Sequence, residues 1–362
     1  MRDIDDIVKQ FQDQVRTAAR EGQTLRIRGG GSKDWYGGPL QGEILDTRAF
    51  SGIVDYEPTE LVITARCGTP LGEIEAALTE RRQMLAFEPP HFGAATLGGA
   101  IAGGLSGPRR ASAGALRDFV LGARLLDGRG ELLAFGGQVM KNVAGYDVAR
   151  LLAGSLGTLG LLLEVSLKVL PLPVAETTLR FAMGEADAIR SLNEWAGRPL
   201  PVSASCWADG VLALRLSGAR AAVDDAVRSL RGQGGEVMPD CAPFWADVRE
   251  QRHAFFVGDA PLWRLSLPST CGPVALGPQL IEWGGAQRWL HAAADAGSDP
   301  DADSARHIRA TAAACGGHAT LFRGGDKSVG VFQPLAPAIA RIHERLKAGF
   351  DPAQVFNPGR MV

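Results

Sequence analysis

The chain has 362 residues, a formal net charge of −2 and 46% hydrophobic residues. That length suggests about two domains with ample material for a core, and the near-neutral charge offers no basic field for nucleic acid or an anionic membrane. Five cysteines (Cys67, Cys206, Cys241, Cys271 and Cys315) lie far apart with no Cys-x-x-Cys pair, which argues against a structural zinc site, a self-held iron–sulfur cluster or a disulfide framework, and fits a reducing compartment.

Charge follows the first methionine, so no secretory signal is read there. The longest apolar run, residues 151–163, falls well short of the ~20 residues of a membrane span. Ile4, Ile7, Val8, Phe11 and Val15 recur at helical spacing and predict an amphipathic opening helix. A short strand at 25–27 runs into Arg28-Gly29-Gly30-Gly31-Ser32-Lys33. A strand that stops at three glycines beside Arg, Ser and Lys is a candidate phosphate cradle; a glycine-rich surface turn is the alternative. Residues 61–66 predict a buried strand, and Thr69 and Pro70 then predict an N-cap and first helical position, with Leu71, Ile74 and Leu78 as the apolar face.

Residues 89–107 are the centre of interest. Glycine is dense there, and nothing is charged between Phe92 and Pro108. Glycine loses much conformational freedom on folding, so its density needs a reason. A membrane helix is excluded by length and composition, and a linker would not carry Phe92, Leu97, Ile101 and Leu105. Backbone amides closing on an anion is the reading that remains ahead of a tight internal turn.

Strands at 119–126 and 131–135 flank Asp127-Gly128, a hairpin signal. Val148, Leu151 and Leu152 predict a short helical face ended by Gly154. Val165, Leu167 and Val169 alternate with Glu164, Ser166 and Lys168, the pattern of a half-buried strand. Pro171 and Pro173 break it and suggest a domain boundary. Beyond lie expected strands at 176–181, 203–207, 211–216 and 262–267, and helices at 186–196, 221–231, 304–315 and 336–348. The small, acidic tract 292–305 reads as an exposed loop. Phe244-Trp245 and Phe255-Phe256 are assigned to core packing.

Four motifs, in this order and spacing, resemble the flavoproteins of the vanillyl-alcohol oxidase (PCMH) type, and within them the FAD-binding subunits of bacterial glycolate oxidases. They are Arg28-Gly-Gly-Gly-Ser32, Thr96-Leu-Gly-Gly99 with Ser106-Gly107, Lys141-Asn-Val-Ala-Gly-Tyr-Asp147 with Gly154-Ser-Leu-Gly-Thr-Leu-Gly160, and Asn357-Pro-Gly359. The resemblance implies an α+β fold: an FAD-binding domain of two α+β subdomains (residues 1–172), an α+β cap (173–350) and a tail (351–362) that returns to the cofactor. By it, Gly29, Gly30, Gly31 and Ser32 form one pyrophosphate loop, and Thr96, Gly98, Gly99, Ser106 and Gly107 the other. Gly114, Asp118, Gly154, Ser155, Gly157, Thr158 and Asn357 complete the FAD contacts. Several relatives tether FAD through a histidine in the first loop; none stands there, so non-covalent FAD is expected, with His91 read as structural or exposed.

The resemblance further implies oxidation of glycolate or a related 2-hydroxy acid within an assembly that includes a catalytic flavin (D) subunit and an iron–sulfur (F) subunit. The expected location is the cytoplasm, with any membrane association made through partners. The metal-holding Gly-Glu-His-Gly run of the catalytic subunit is missing, so no metal is expected. The nearest segment, 314–323, offers His318 and Arg323 as weak catalytic candidates, each with a structural alternative. Lys141 and Tyr146 sit in the best-matching block, Tyr146 being expected to pack on the cofactor domain. A subunit without a full substrate site is preferred over a self-sufficient 2-hydroxy acid dehydrogenase and over a scaffold that has lost FAD.

Overall fold

The computed structural model describes residues 3–137, 146–292 and 300–361. They fall into two compact units: Met1–Leu105, Ala115–Pro171 and Pro334–Val362 form the first, Ser106–Gly114 and Leu172–Gln333 the second.

In the first unit, α1 (Ile4–Glu21) starts where the Asp3 carboxylate accepts from Asp5 N–H at 3.2 Å, and ends at Gly22 in the left-handed conformation. Its buried stripe of Ile7, Phe11, Val15 and Ala18 packs on Leu45, Phe50, Leu126, Val355 and Phe356. Next, β1 (Leu25–Arg28) pairs in parallel with β2 (Glu43–Asp46). The unit's main sheet is antiparallel, in the order β3 (Ile53–Glu57), β4 (Val62–Arg66), β8 (Leu161–Lys168), β6 (Val120–Leu126), β7 (Leu132–Gly136). The β6–β7 hairpin forms as expected, with the Asp127 carboxylate accepting from Arg129 N–H and Glu131 N–H, both at 2.9 Å. A two-strand pair, β5 (Gln83–Met84) with β9 (Leu170–Pro171), and the helices α2 (Leu71–Glu80), α3 (Leu97–Gly103) and α5 (Val148–Leu151) belong to the same unit.

Three local expectations are corrected here. Strand β8 does not alternate: Val165, Ser166 and Leu167 are all buried, because it is the central strand, and Ser166 shares a 2.8 Å hydroxyl hydrogen bond with Thr64 on β4. Thr69 does not cap α2. Its hydroxyl accepts from Gly52 N–H at 2.8 Å, and Pro70 occupies the cap position without a side-chain bond. On α5 it is Ala149, followed by Leu152, that is buried, while Leu151 is 40% exposed.

The second unit holds α4 (Arg110–Ala113) and an antiparallel sheet of eight strands among the described residues. Their order is β13 (Glu236–Met238), β10 (Ala175–Ala182), β12 (Val211–Gly218), β11 (Val202–Ala208), β15 (Gln279–Glu282), β16 (Gln287–His291), β14 (Leu262–Ser266), β17 (His318–Arg323). Helices α6 (Glu185–Ala196) and α7 (Arg220–Arg231) bury Leu192, Trp195, Val223 and Leu230 with Leu179, Phe181 and Leu214. Helix α8 (Cys241–Arg249) carries Trp245, whose indole donates to Thr178 Oγ1 at 2.9 Å. Trp245 and Phe256 are buried, as core packing requires; Phe244 and Phe255 are half-buried. The sheet's other half lies with α9 (Pro300–Ala314), which buries Ala305, Ile308 and Ala312 with Trp263, Leu265 and Leu321. Part of the expected loop 292–305 is therefore helix, because those apolar residues recur at helical spacing; residues 293–299 lie outside the described residues.

Ser106–Gly114 joins the second unit through specific bonds. Trp283 donates to Gly107 C=O at 3.1 Å, the Arg110 guanidinium stacks over Trp283 at 4.4 Å, and Ser112 donates to Ser203 C=O at 2.9 Å. The final helix, α10 (Pro337–Phe350), belongs to the first unit rather than to a cap ending at residue 350. Phe350 meets Phe135 edge-on, Gly128 N–H donates to Phe350 C=O at 2.9 Å, and Lys347 donates to Thr158 C=O at 2.7 Å. Among the described residues no helix is long and apolar enough to cross a membrane.

Candidate functional site

A cleft in the first unit is bordered by the loop after β1 (residues 28–34), by α3 with its Thr96 cap, by residues 156–157 and 160–162, and by Asn357 and Arg360. Four segments distant in sequence thus meet at one place. Among the described residues the backbone N–H groups of Gly29, Gly30, Gly31 and Ser32 meet no acceptor. Unsatisfied amides beside a cleft are what an anionic oxygen would fill.

The glycines divide by what a side chain would meet. A Cβ at Gly30 would overlap the Ala94 carbonyl oxygen, and one at Gly29 would overlap the Thr96 hydroxyl. Those two are glycine because the two loops touch. Gly98 is likewise spent on the protein: its N–H donates to Cys67 C=O at 2.8 Å, and a Cβ would sit 2.7 Å from Cys67 Cβ. Gly99 differs. A Cβ there would meet only Thr96 Oγ1, at 3.4 Å, so its missing side chain leaves space in the cleft and not in the core. Thr96 holds this turn by accepting from Gly99 N–H at 3.4 Å.

Asn357 organises the far wall. Its Oδ1 accepts from Ile27 N–H at 2.9 Å, its Nδ2 donates to Leu156 C=O at 2.6 Å, and its own N–H donates to Leu25 C=O at 2.9 Å. It adopts φ 44°, a left-handed conformation that asparagine tolerates better than most residues. Arg360, nearly buried, donates to the carbonyls of Asp34 (3.1 Å), Gly38 (2.6 Å) and Tyr36. Burial and the nearby Arg26 pull its guanidinium below the usual range, and Asp34 offsets them in part. Arg28 pairs with Asp34 at 2.7 Å, and Lys33 lies over the Phe92 ring at 5.5 Å. Cys67 also lines the cleft, but burial, with Glu164 adding, pushes its thiol far up, so it is an inert wall.

Of the residues singled out in the sequence, Gly29, Gly30, Gly31, Ser32, Thr96, Gly98, Gly99, Gly157 and Asn357 border this cleft. Gly154, Ser155 and Thr158 border a different cavity of the same unit, beside His343 and Lys347. Ser106, Gly107 and Gly114 belong to the second unit. Asp118 turns its carboxylate onto Ala115 N–H at 2.8 Å. His91 bonds Glu75 at 3.1 Å, a structural role. Sequence reasoning missed Arg360 as a cleft residue; its only signal was its place next to Asn357-Pro-Gly359.

In the second unit His318 and Arg323 stand at opposite ends of the edge strand β17, where they pair with Ser266 and Leu262 of β14. They do not converge. Arg323 donates to Gln251 Oε1 at 3.3 Å and Phe256 C=O at 3.1 Å. The His318 imidazole is held below its usual range by partial desolvation and by Arg264. Tyr146 is 95% exposed, against the packing expected of it; Lys141 lies outside the described residues.

A family model described as an FAD binding domain matches residues 7–136, which takes in both glycine loops. The glycolate oxidase subunit GlcE of Escherichia coli (strain K12) is 48% identical over 351 residues, 96% of this chain and 95% of that protein. The chain belongs to the GlcE family. It is thus a flavoprotein-type oxidoreductase subunit with an FAD-binding domain of the PCMH type. More distantly, the glycolate oxidase subunit GlcD of Bacillus subtilis (strain 168) is 30% identical over 41% of this chain and 31% of that protein. A D-2-hydroxyglutarate dehydrogenase of Xanthomonas citri is 28% identical over 50% of this chain and 39% of that protein. A solved alkyldihydroxyacetonephosphate synthase superposes with a TM-score of 0.68 at 15% identity, covering 96% of this chain and 74% of that one, a likeness of fold alone.

Proposed function

We propose that this chain is the FAD-carrying GlcE-type subunit of a multi-subunit enzyme that oxidises glycolate to glyoxylate, and that it lacks a full substrate site of its own. The observation that carries the reading is the extent of the GlcE match, 48% identity over 96% of the chain, joined to a cleft that fits the cofactor. FAD has two phosphates; unpartnered amides at Gly29–Ser32 and the space left by Gly99 suit a pyrophosphate without any large cationic patch.

When bound, FAD supplies the hydride-accepting and electron-passing chemistry. The chain's own residues do the holding: the 28–32 and 96–99 loops cradle the pyrophosphate, and Asn357 and Arg360 fix the wall against which the cofactor lies. Gly154, Ser155 and Thr158 support that wall from behind. No histidine stands in the first loop, so FAD is held without a covalent bond. His318 and Arg323, separated at opposite ends of β17, favour chemistry on a partner, a GlcD-type catalytic flavin subunit with an iron–sulfur subunit as the electron outlet, in the cytoplasm and at a membrane only through those partners.

The test is an anaerobic absorbance titration of the purified, FAD-loaded chain with glycolate. The flavin should stay oxidised until the partner subunits are added. Bleaching by glycolate alone would place a working substrate site on this chain and overturn the proposal.

A further inference from the structure

A cavity of about 340 Å³ lies within the second unit, between α4, α6, β11 and the turn at Trp283 and Gly284 that joins β15 to β16. Leu192, Trp195, Leu200 and Leu214 give it apolar walls. Most of its polar groups are spent on the protein itself. Ser112 donates to Ser203 C=O, Asn193 Nδ2 donates to the carbonyls of Ile189 and Ser269, both at 2.9 Å, and Ser269 Oγ donates to Asn193 Oδ1 at 2.9 Å. Ser203 Oγ accepts from Arg215 Nε at 3.1 Å and lies 2.8 Å from Ser217 Oγ. Two donors are left over. Ser205 is 2% exposed; its Oγ accepts from Gly284 N–H at 2.9 Å, while its own proton meets no acceptor among the described residues. Arg198 stands exposed at the mouth, and among the described residues its guanidinium makes no ion pair or hydrogen bond. A buried donor without an acceptor costs stability and calls for a partner. Trp283, on the same wall, is held at φ 54°, a conformation rare for a bulky residue and found where surroundings enforce it, ligand clamps among them.

We propose that this cavity is a binding site for a short aliphatic oxo acid, a carboxylate that carries a second oxygen acceptor along its chain. Arg198 takes the carboxylate at the mouth, since its planar fork matches the two oxygens. The aliphatic body lies against Leu192, Trp195, Leu200 and Leu214, and the inner carbonyl oxygen accepts the proton that Ser205 has to give. Glycolate does not fit this description. Its hydroxyl is next to its carboxylate and it has no apolar body, so one molecule cannot serve both the exposed Arg198 and the buried Ser205. The site is therefore distinct in ligand from any glycolate chemistry, lies in a different unit from the FAD cleft, and stands or falls independently of the function proposed above.

Isothermal titration calorimetry of the full-length, FAD-loaded protein with 5-oxohexanoate is the test, and the expected result is saturable one-site binding. Hexanoate, which lacks the inner oxygen, should bind more weakly, and 2-hexanone, which lacks the carboxylate, should give no heat at millimolar concentration. Arg198→Met should weaken 5-oxohexanoate binding roughly tenfold to a hundredfold, with an unchanged thermal midpoint because the Arg198 guanidinium holds no other described residue in place. Ser205→Ala should bring 5-oxohexanoate down to the level of hexanoate and leave hexanoate itself unchanged; should that variant misfold, Arg198→Met and the ligand series still decide. Absence of saturable binding at millimolar concentration, equal binding of 2-hexanone, an Arg198→Met protein that binds like the native one, or displacement by glycolate overturns the proposal.

Discussion

Replacing Gly99 by valine separates a glycine kept for a ligand from one kept for the fold. The position lies in α3, where valine is no worse a helix former than glycine, and a Cβ there meets only Thr96 Oγ1, at 3.4 Å. The apoprotein should fold with an unchanged thermal midpoint. The added methyl groups, however, occupy the cleft beside the unpartnered amides. Losing two hydrogen bonds to a charged group costs about 1.5–3 kcal/mol each, so FAD affinity should fall by roughly a hundredfold to ten-thousandfold. Flavin-fluorescence titration of the apoprotein reads the affinity, and differential scanning fluorimetry reads the fold. Gly30→Ala is the contrasting control: its Cβ would overlap the Ala94 carbonyl, and it should lower both stability and affinity. A Gly99→Val protein that binds FAD like the native one would refute the placement of the pyrophosphate. A Gly99→Val protein that fails to fold would refute the claim that the space there is open.

Asn357→Ala strands Ile27 N–H and Leu156 C=O and puts alanine at φ 44°; unfolding by urea should show a loss of about 2–5 kcal/mol, with FAD lost in parallel, and an unchanged urea midpoint would remove Asn357 from its organising role. His253 sets a pH dependence. Its Nδ1 accepts from Phe255 N–H at 3.2 Å, which requires the neutral ring, and desolvation outweighs Asp209 and Asp247 to hold its pKa below 6.5. The unfolded chain therefore takes up the proton first, so this contribution is full above the unfolded value and is lost as pH falls from 6.5 through the lower folded value. Urea midpoints at neutral and mildly acid pH should separate more in the native protein than in His253→Gln; equal separations would refute the assignment.

The sequence made some of this legible and hid the rest for physical reasons. Helix α1 and the β6–β7 hairpin were visible because their signals are local: a stripe at helical spacing, and Asp127-Gly128 between two apolar runs. Strands β15 and β16 were invisible because Gln279, Glu282, Gln287 and Arg288 are buried in them, so no apolar alternation marks either strand. Their polarity is met across the β15–β16 pair, as where Trp289 donates to Glu282 at 2.7 Å. Thr69 carried a cap signal yet bonds Gly52, since a tertiary partner outcompeted the local one. The glycine loops were found but not sorted. Only coordinates distinguish Gly30, which makes room for Ala94, from Gly99, which makes room for something else.

The cleft's far wall comes late in synthesis. Ile27 N–H waits for an oxygen on Asn357, 330 positions away, and the Asp34 carbonyl waits for Arg360 across 326. A ribosome extending this chain releases the whole second unit before it reaches either residue. The intervening 172–333 body has its own clusters and can condense first, while β1 remains without its last partner. If the cleft holds the flavin as proposed, loading must wait until Asn357 emerges, and a nascent chain stalled before residue 357 should present both glycine loops yet capture no flavin.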